Sequence, residues 1–168
     1  MDKPTVYLDT NIISAYWYEG KDVAAAARRF HTREWWNLER KHFSVNVSMT
    51  TINELRAGSF RRQKDCVKMA RALPLLRMTR QAKRVLDELL QSRLIPETKP
   101  GDALQMAISA AHEVDYLLTW NYAHLANPVA QERLEEICRS LGLRAPLLVS
   151  PETIPQVRFG QTILRRKS

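Results

Sequence analysis

Cysteine and glycine are scarce in this chain. Its 168 residues include two Cys, five Gly and eight Pro. Cys66 and Cys138 are far apart and lack metal-site spacing, which excludes a disulfide-stapled scaffold and a cysteine zinc site. They read as reduced thiols. So few Gly and Pro exclude a fibrous or low-complexity chain. No apolar run approaches the roughly 20 residues of a membrane helix. Met1-Asp2-Lys3-Pro4 leads straight into Thr5-Val6-Tyr7-Leu8, without the zones of a signal peptide. The expectation is a cytoplasmic protein that does not engage membranes. The four His (His31, His42, His112, His124) show no ligand spacing. What remains is ordinary globular composition, 45% hydrophobic and 26% charged, at the size of one domain.

Charge is unevenly placed. The net charge is +8, from 26 Lys and Arg against 18 Asp and Glu. Residues 56–84 hold ten basic residues, including Arg56, Arg61, Arg62 and Lys64, against one acid, Asp65. That segment alone carries +9, so the rest of the chain sums to −1. A local excess of this kind suits a polyanion such as nucleic acid. A solvated helical face or a surface for an acidic protein would give the same pattern. Arg165-Arg166-Lys167 reads as a flexible basic tail.

Periodicity alternates strands with helices. Strands are expected at 5–8, 43–49, 115–119 and 146–149, and helices at 21–41, 51–72, 79–94, from Asp102 onward, and 129–141. Leu75-Leu76 is either a short strand or a helix connection. Asp9-Thr10-Asn11 has turn composition. This order predicts an α/β fold: a central, mostly parallel sheet of about four or five strands, covered on both faces. Residues 1–150 would form a single domain and 151–168 a C-terminal extension.

In such sheets ligands sit outside the carboxyl ends of the strands. Asp9 follows the first strand, Glu54 the second, and Thr119-Trp120-Asn121 the third, while Asp102 opens a helix. Each has a plainer role available. Asp9 would cap a turn, and Thr51-Ile52-Asn53-Glu54 fits a capping box. Asp102 would be a first-turn acid and Asn121 a turn residue. Asp115, at the opposite end of its strand, reads as structural, and Trp120, Trp35 and Trp36 as packing. If the carboxylates converge, they repel one another, and a hard divalent cation offsets that repulsion. Mg²⁺ or Mn²⁺ held so can activate water against a phosphodiester, with the basic segment on the phosphate backbone.

The ordered set Leu8-Asp9-Thr10-Asn11, Asn53-Glu54-Leu55, Gly101-Asp102-Ala103 and Leu118-Thr119-Trp120-Asn121 resembles the PIN-domain family, and most closely the VapC-type endoribonuclease toxins of toxin–antitoxin modules. The resemblance spans roughly residues 4–150. It implies a three-layer α/β/α fold, Mg²⁺- or Mn²⁺-dependent RNA cleavage by metal-activated water, a homodimer, and a cognate antitoxin partner. Matched by position, Asp9, Glu54 and Asp102 are the first three acidic positions and the metal ligands. Asn11 and Thr119 support the site. Asn121 departs from the pattern, standing where many members have Asp. It can still ligate through its carbonyl oxygen, with one negative charge fewer. Arg56, Arg61, Arg62 and Lys64 would contact RNA. Residues 17–42, with Trp17, Trp35 and Trp36, exceed a compact member.

Two other classes compete. A haloacid-dehalogenase-type phosphatase also begins with a strand and an Asp, but needs a second Asp where Asn11 stands. A catalytically degenerate RNA-binding module would keep the basic segment and never cut.

Overall fold

The computed structural model describes residues 2–163. The chain runs β1 (Thr5–Leu8), α1 (Thr10–Tyr16), α2 (Val23–Glu34), β2 (Ser44–Ser48), α3 (Met49–Ala57), α4 (Gln63–Arg71), β3 (Leu75–Leu76), α5 (Arg80–Gln91), α6 (Pro100–Ala111), β4 (Tyr116–Leu118), α7 (Pro128–Ser140) and β5 (Leu147–Val149). The five strands pair in parallel, in the order β3-β2-β1-β4-β5. Leu75-Leu76 is therefore an edge strand.

Period-2 alternation divides the core into two layers. Val6 and Leu8 of β1 face one side, with Val45, Val47, Tyr116 and Leu118. Ile12, Ile13, Ile52, Leu55 and Cys66 of α1, α3 and α4 cover that side. Tyr7 and Leu117 face the other side, under Ala82, Val85, Leu89, Met106 and Leu134 of α5–α7. Both cysteines are free and buried.

Several elements differ from the sequence expectation. Thr10–Tyr16 is a helix, because Ile12 and Ile13 bury completely against the sheet; turn composition yields there to packing. The expected helix 51–72 is two helices. Gly58 ends α3, and Arg62 enters α4 with φ 64°, a left-handed conformation rare outside Gly. Its guanidinium offsets that cost by bonding Asp65 at 2.6 Å and Glu19 at 2.7 Å and lying 4.4 Å from the Trp17 ring centroid. The expected helix 21–41 stops at Glu34 and continues as a π-helical turn, Trp35–Glu39, then a 3₁₀ turn, Arg40–His42. That wide turn buries Trp35 and Glu39. Glu39 accepts backbone N–H bonds from Val157 (2.8 Å) and Arg158 (3.1 Å). Residues beyond 150 are thus held against the added segment, and Ile154 joins the core. The basic tail Arg165-Arg166-Lys167 lies outside the described residues.

Asp115 is structural, as expected. It accepts from Thr5 N at 2.8 Å and Thr5 Oγ1 at 2.9 Å, and pairs with Arg144 at 3.3 Å. Among the described residues, no helix is long and apolar enough to cross a membrane.

One buried polar network sits on the α5–α7 side. Tyr7 Oη bonds Ser48 Oγ at 2.6 Å and donates to Gln105 Oε1, while Thr51 Oγ1 reaches Gln105 Oε1 at 3.3 Å. Tyr7, Ser48, Thr51 and Gln105 are all buried. Removing one hydroxyl leaves a buried acceptor short of a donor. Tyr7→Phe is expected to lower stability by about 1–3 kcal/mol, read from the urea midpoint at unchanged m-value.

Candidate active site

The strand order reverses between β1 and β4, and this is where an open α/β sheet forms its crevice. Asp9 leaves β1 there and Thr119 leaves β4. The ladder continues past the strands, with Asp9 N donating to Leu118 O at 3.0 Å. Asp9 occupies the N-cap position of α1, but its side chain makes no capping bond. Its Oδ2 accepts from Thr119 Oγ1 at 2.6 Å and from Asn11 Nδ2 at 2.9 Å. Asn11 Oδ1 accepts from Trp120 N at 2.9 Å, so this one side chain ties the two strand ends together.

A second cluster lies beside the first. Asn121 Nδ2 donates to Asp102 Oδ2 at 2.9 Å, and Asn121 Oδ1 accepts from His124 N at 3.0 Å. The backbone donor from His124 sets the amide's orientation, so its NH₂ faces the carboxylate. Thr119 links the clusters, since its Oγ1 accepts from Asn121 N at 3.0 Å. Asp102 lies in the first turn of α6, after Pro100, and is not its cap.

Glu54 is not a capping-box residue. Ser48 caps α3, accepting from Thr50 N at 3.2 Å, and Thr51 is already inside the helix. Glu54 Oε2 instead accepts from Thr10 Oγ1 at 2.6 Å, and Gln105 Nε2 approaches it at 3.4 Å. Its Oε1 lies where a Cβ on residue 101 would stand. With Gly at 101 the carboxylate packs directly against the start of α6, and a larger residue there would make Glu54 turn aside.

Thus Asp9, Asn11, Thr119, Asp102 and Asn121 form one bonded chain, and Glu54 stands behind it on Thr10. The site also depends on Thr10 and Gln105, which the sequence reading passed over. Thr10 sat in an apparent turn. Gln105 lies inside an apolar helix run, and that position, a buried carboxamide among Ala and Met, was the available signal.

The basic residues do not gather at the carboxylates. Arg62 is engaged by Glu19, Asp65 and Trp17, as described. Arg56 and Lys64 line a groove of about 660 Å³ along α4, together with Lys68 and Arg71. Arg61 points elsewhere, with its side chain 83% exposed.

Burial is the main cause that raises the Asp9 carboxyl, to about 7. The nearby Asp102 and Glu54 charges add to this, and the Thr119 bond opposes it. Burial also raises Asp102, opposed first by the Asn121 bond and then by the nearby His124 and Lys99. Among the described residues, no Lys, Arg or His forms an ion pair with Asp9, Glu54 or Asp102. The donors are all oxygen and their negative charge lacks a contacting cation, which fits a hard divalent ion in kind. As they stand, no three His, Cys, Asp or Glu side chains among the described residues group closely enough to hold an ion. Glu54 is the outlying member, turned onto Thr10 and Gln105.

Fold and site together define an α/β protein with a cluster of carboxylates at its topological switch point. No protein-family model and no curated protein matches the chain. A solved structure does: the crystal structure of VapBC2 from Rickettsia felis bound to a DNA fragment from their promoter. The match has a TM-score of 0.52 and 19% sequence identity, and covers 70% of this chain and 87% of that one. It bears out the PIN-like three-layer α/β/α fold.

The raised Asp9 carboxyl makes a signed prediction. Between about pH 4 and 7 the folded chain keeps a proton that the unfolded chain, with its Asp near 3.8, releases. Stability in chelator therefore falls as pH rises through that window, by about 4 kcal/mol at most from this residue. Asp9→Asn should remove that slope and be the more stable protein at pH 8, as measured by urea unfolding across pH.

Proposed function

We propose that this chain is a metal-dependent endoribonuclease and the toxin member of a toxin–antitoxin pair. The observation that carries the reading is the buried, cation-free Asp9 at the β1/β4 switch point, bonded through Thr119 to the Asp102–Asn121 pair. The likeness to a VapBC2 structure supports an antitoxin partner. Mg²⁺ or Mn²⁺ would be held by Asp9 and Asp102, with Glu54 as the third carboxylate. Such an ion supplies an activated water and charge neutralisation at a phosphodiester.

The chain's own residues do the rest. Thr119 and Asn11 keep the Asp9 carboxylate in one orientation by two donated bonds. Asn121 does the same for Asp102 through its amide hydrogens. Thr10 and Gln105 hold Glu54 close to the start of α6 until it is needed. Homodimer formation belongs to the same reading.

One observation favours a second reading. Asn121 spends its amide on Asp102 and its carbonyl on His124 N, where a fourth carboxylate would add charge. A catalytically degenerate RNA-binding module fits that arrangement. The two readings separate in one assay: a pool of cellular RNA incubated with the purified chain in Mg²⁺, Mn²⁺ or chelator. Discrete fragments that need metal, and that fall at least roughly 100-fold in Asp9→Asn and in Asp102→Asn, are expected. RNA left intact in every lane, yet still bound by the chain in chelator, would instead favour the binding module.

A further inference from the structure

The surface beside the carboxylates carries a second feature, which the basic-segment argument did not anticipate. Asn11, Ser14 and Ala15 of α1, with Tyr18 just beyond the helix end, are all half-buried and border this surface. Two cavities lie on it, of about 180 and 350 Å³, and both are lined by Ser14 and Tyr18. The two adjoin through these shared residues and are together termed the α1 groove.

Its near end is walled by Trp120 and Arg28. Asn11, also in that wall, donates to Asp9, so the near end of the groove lies one side chain away from the carboxylate cluster. The Arg28 guanidinium stands 5.9 Å from the Trp120 ring centroid and has no ion pair among the described residues. The far end is walled by Phe60 and Arg61. Phe60 is 41% exposed and stands on the short loop between α3 and α4.

The loop that presents it is built. Gln63 Nε2 donates to the carbonyls of Leu55, Arg56 and Gly58, closing the end of α3. Gly58 leaves space for the Phe60 ring, because a Cβ there would overlap it. Arg62, in its left-handed conformation, is held by Glu19, Asp65 and Trp17. Tyr18 is seated the same way. Its ring lies over Gly20, and its hydroxyl accepts from Asp22 N at 3.1 Å. The one acid in the groove, Glu19, faces Arg62 and Arg61.

An exposed ring, Phe60, a half-buried one, Tyr18, and two guanidinium groups, Arg28 without an ion pair among the described residues and the largely exposed Arg61 at 3.6 Å from Glu19, match the chemistry of a single nucleic-acid strand. Bases stack on the rings and phosphates meet the cations. We propose that this α1 groove, and not the basic face of α4, carries the single-stranded RNA that flanks the scissile phosphate, with Tyr18 and Phe60 stacking bases and Arg28 and Arg61 contacting backbone. The proposal rests on the nuclease reading above and adds the path of its substrate.

The test is binding, read in chelator by fluorescence anisotropy of a labelled twelve-residue single-stranded RNA and of an abasic strand of equal length. Phe60→Ala should weaken the RNA about tenfold and leave the abasic strand unchanged. Phe60→Leu, which keeps apolar packing on Gly58 without an aromatic face, should show the same split. Arg61→Ala should weaken both strands alike and reduce the salt dependence by about one phosphate contact. Wild-type binding of RNA by both Phe60 variants overturns the proposal, as does loss confined to a Lys68→Ala/Arg71→Ala double variant. Metal-dependent cleavage with an inert groove would sink the path and leave the nuclease standing. A chain that neither cuts nor binds RNA would sink both.

Discussion

The structure turns on a charge placed where water cannot reach it. Asp9 is 4% exposed, at the point where two parallel strands part company in topology. An ionised carboxylate in that position needs donors or a cation. The chain supplies the donors, a hydroxyl from Thr119 and an amide from Asn11, but no contacting cation among the described residues. The bonds that orient Asp9 also close the β1 and β4 ends on each other and set the backbone that delivers Asn121 to Asp102. The site is therefore a consequence of the sheet's register, in which Leu8 pairs with Leu118 and leaves the next residue of each strand side by side.

The same constraint explains why α1 matters beyond packing. A seven-residue helix is too short to be stable alone. Ile12 and Ile13 hold it by burying completely against the sheet. Once held, it sends Thr10 to Glu54 and Asn11 to Asp9, while Asn11, Ser14 and Ala15 also line the neighbouring cavity.

The basic segment shows how charge in sequence dissolves into separate roles in space. Of its first four cations, Arg62 shapes a loop, Arg61 stands over the α1 groove, and Arg56 and Lys64 line α4. The break between the two helices does the sorting, since Arg56 lies in the last turn of α3, Arg61 and Arg62 on the connecting loop and Lys64 at the start of α4. The split of 51–72 into two helices brings this about, and it was hidden because Gly58 and Ser59 are weak signals inside a long helix-favouring run. The left-handed Arg62 gave no signal at all: its conformation is held by Glu19 and Trp17, more than forty residues earlier.

Much of the architecture was legible. Alternating strands and helices were enough for a parallel sheet, and apolar β-strand runs were enough for burial on both faces. Asp9, Glu54, Asp102 and Thr119 could be placed near the carboxyl edge from local order alone, because each follows or opens an element. Their partners could not. Whether Glu54 capped a helix or faced Thr10, whether Asn121 turned its amide to Asp102, and whether Thr119 reached Asp9 are questions of distance between residues 19 to 110 positions apart. Local pattern determines which elements form and which side of each is apolar, since that depends on spacing along the chain. Which polar groups then meet is decided by register and by helix docking, because a hydrogen bond is settled within tenths of an ångström and the sequence carries no such measure.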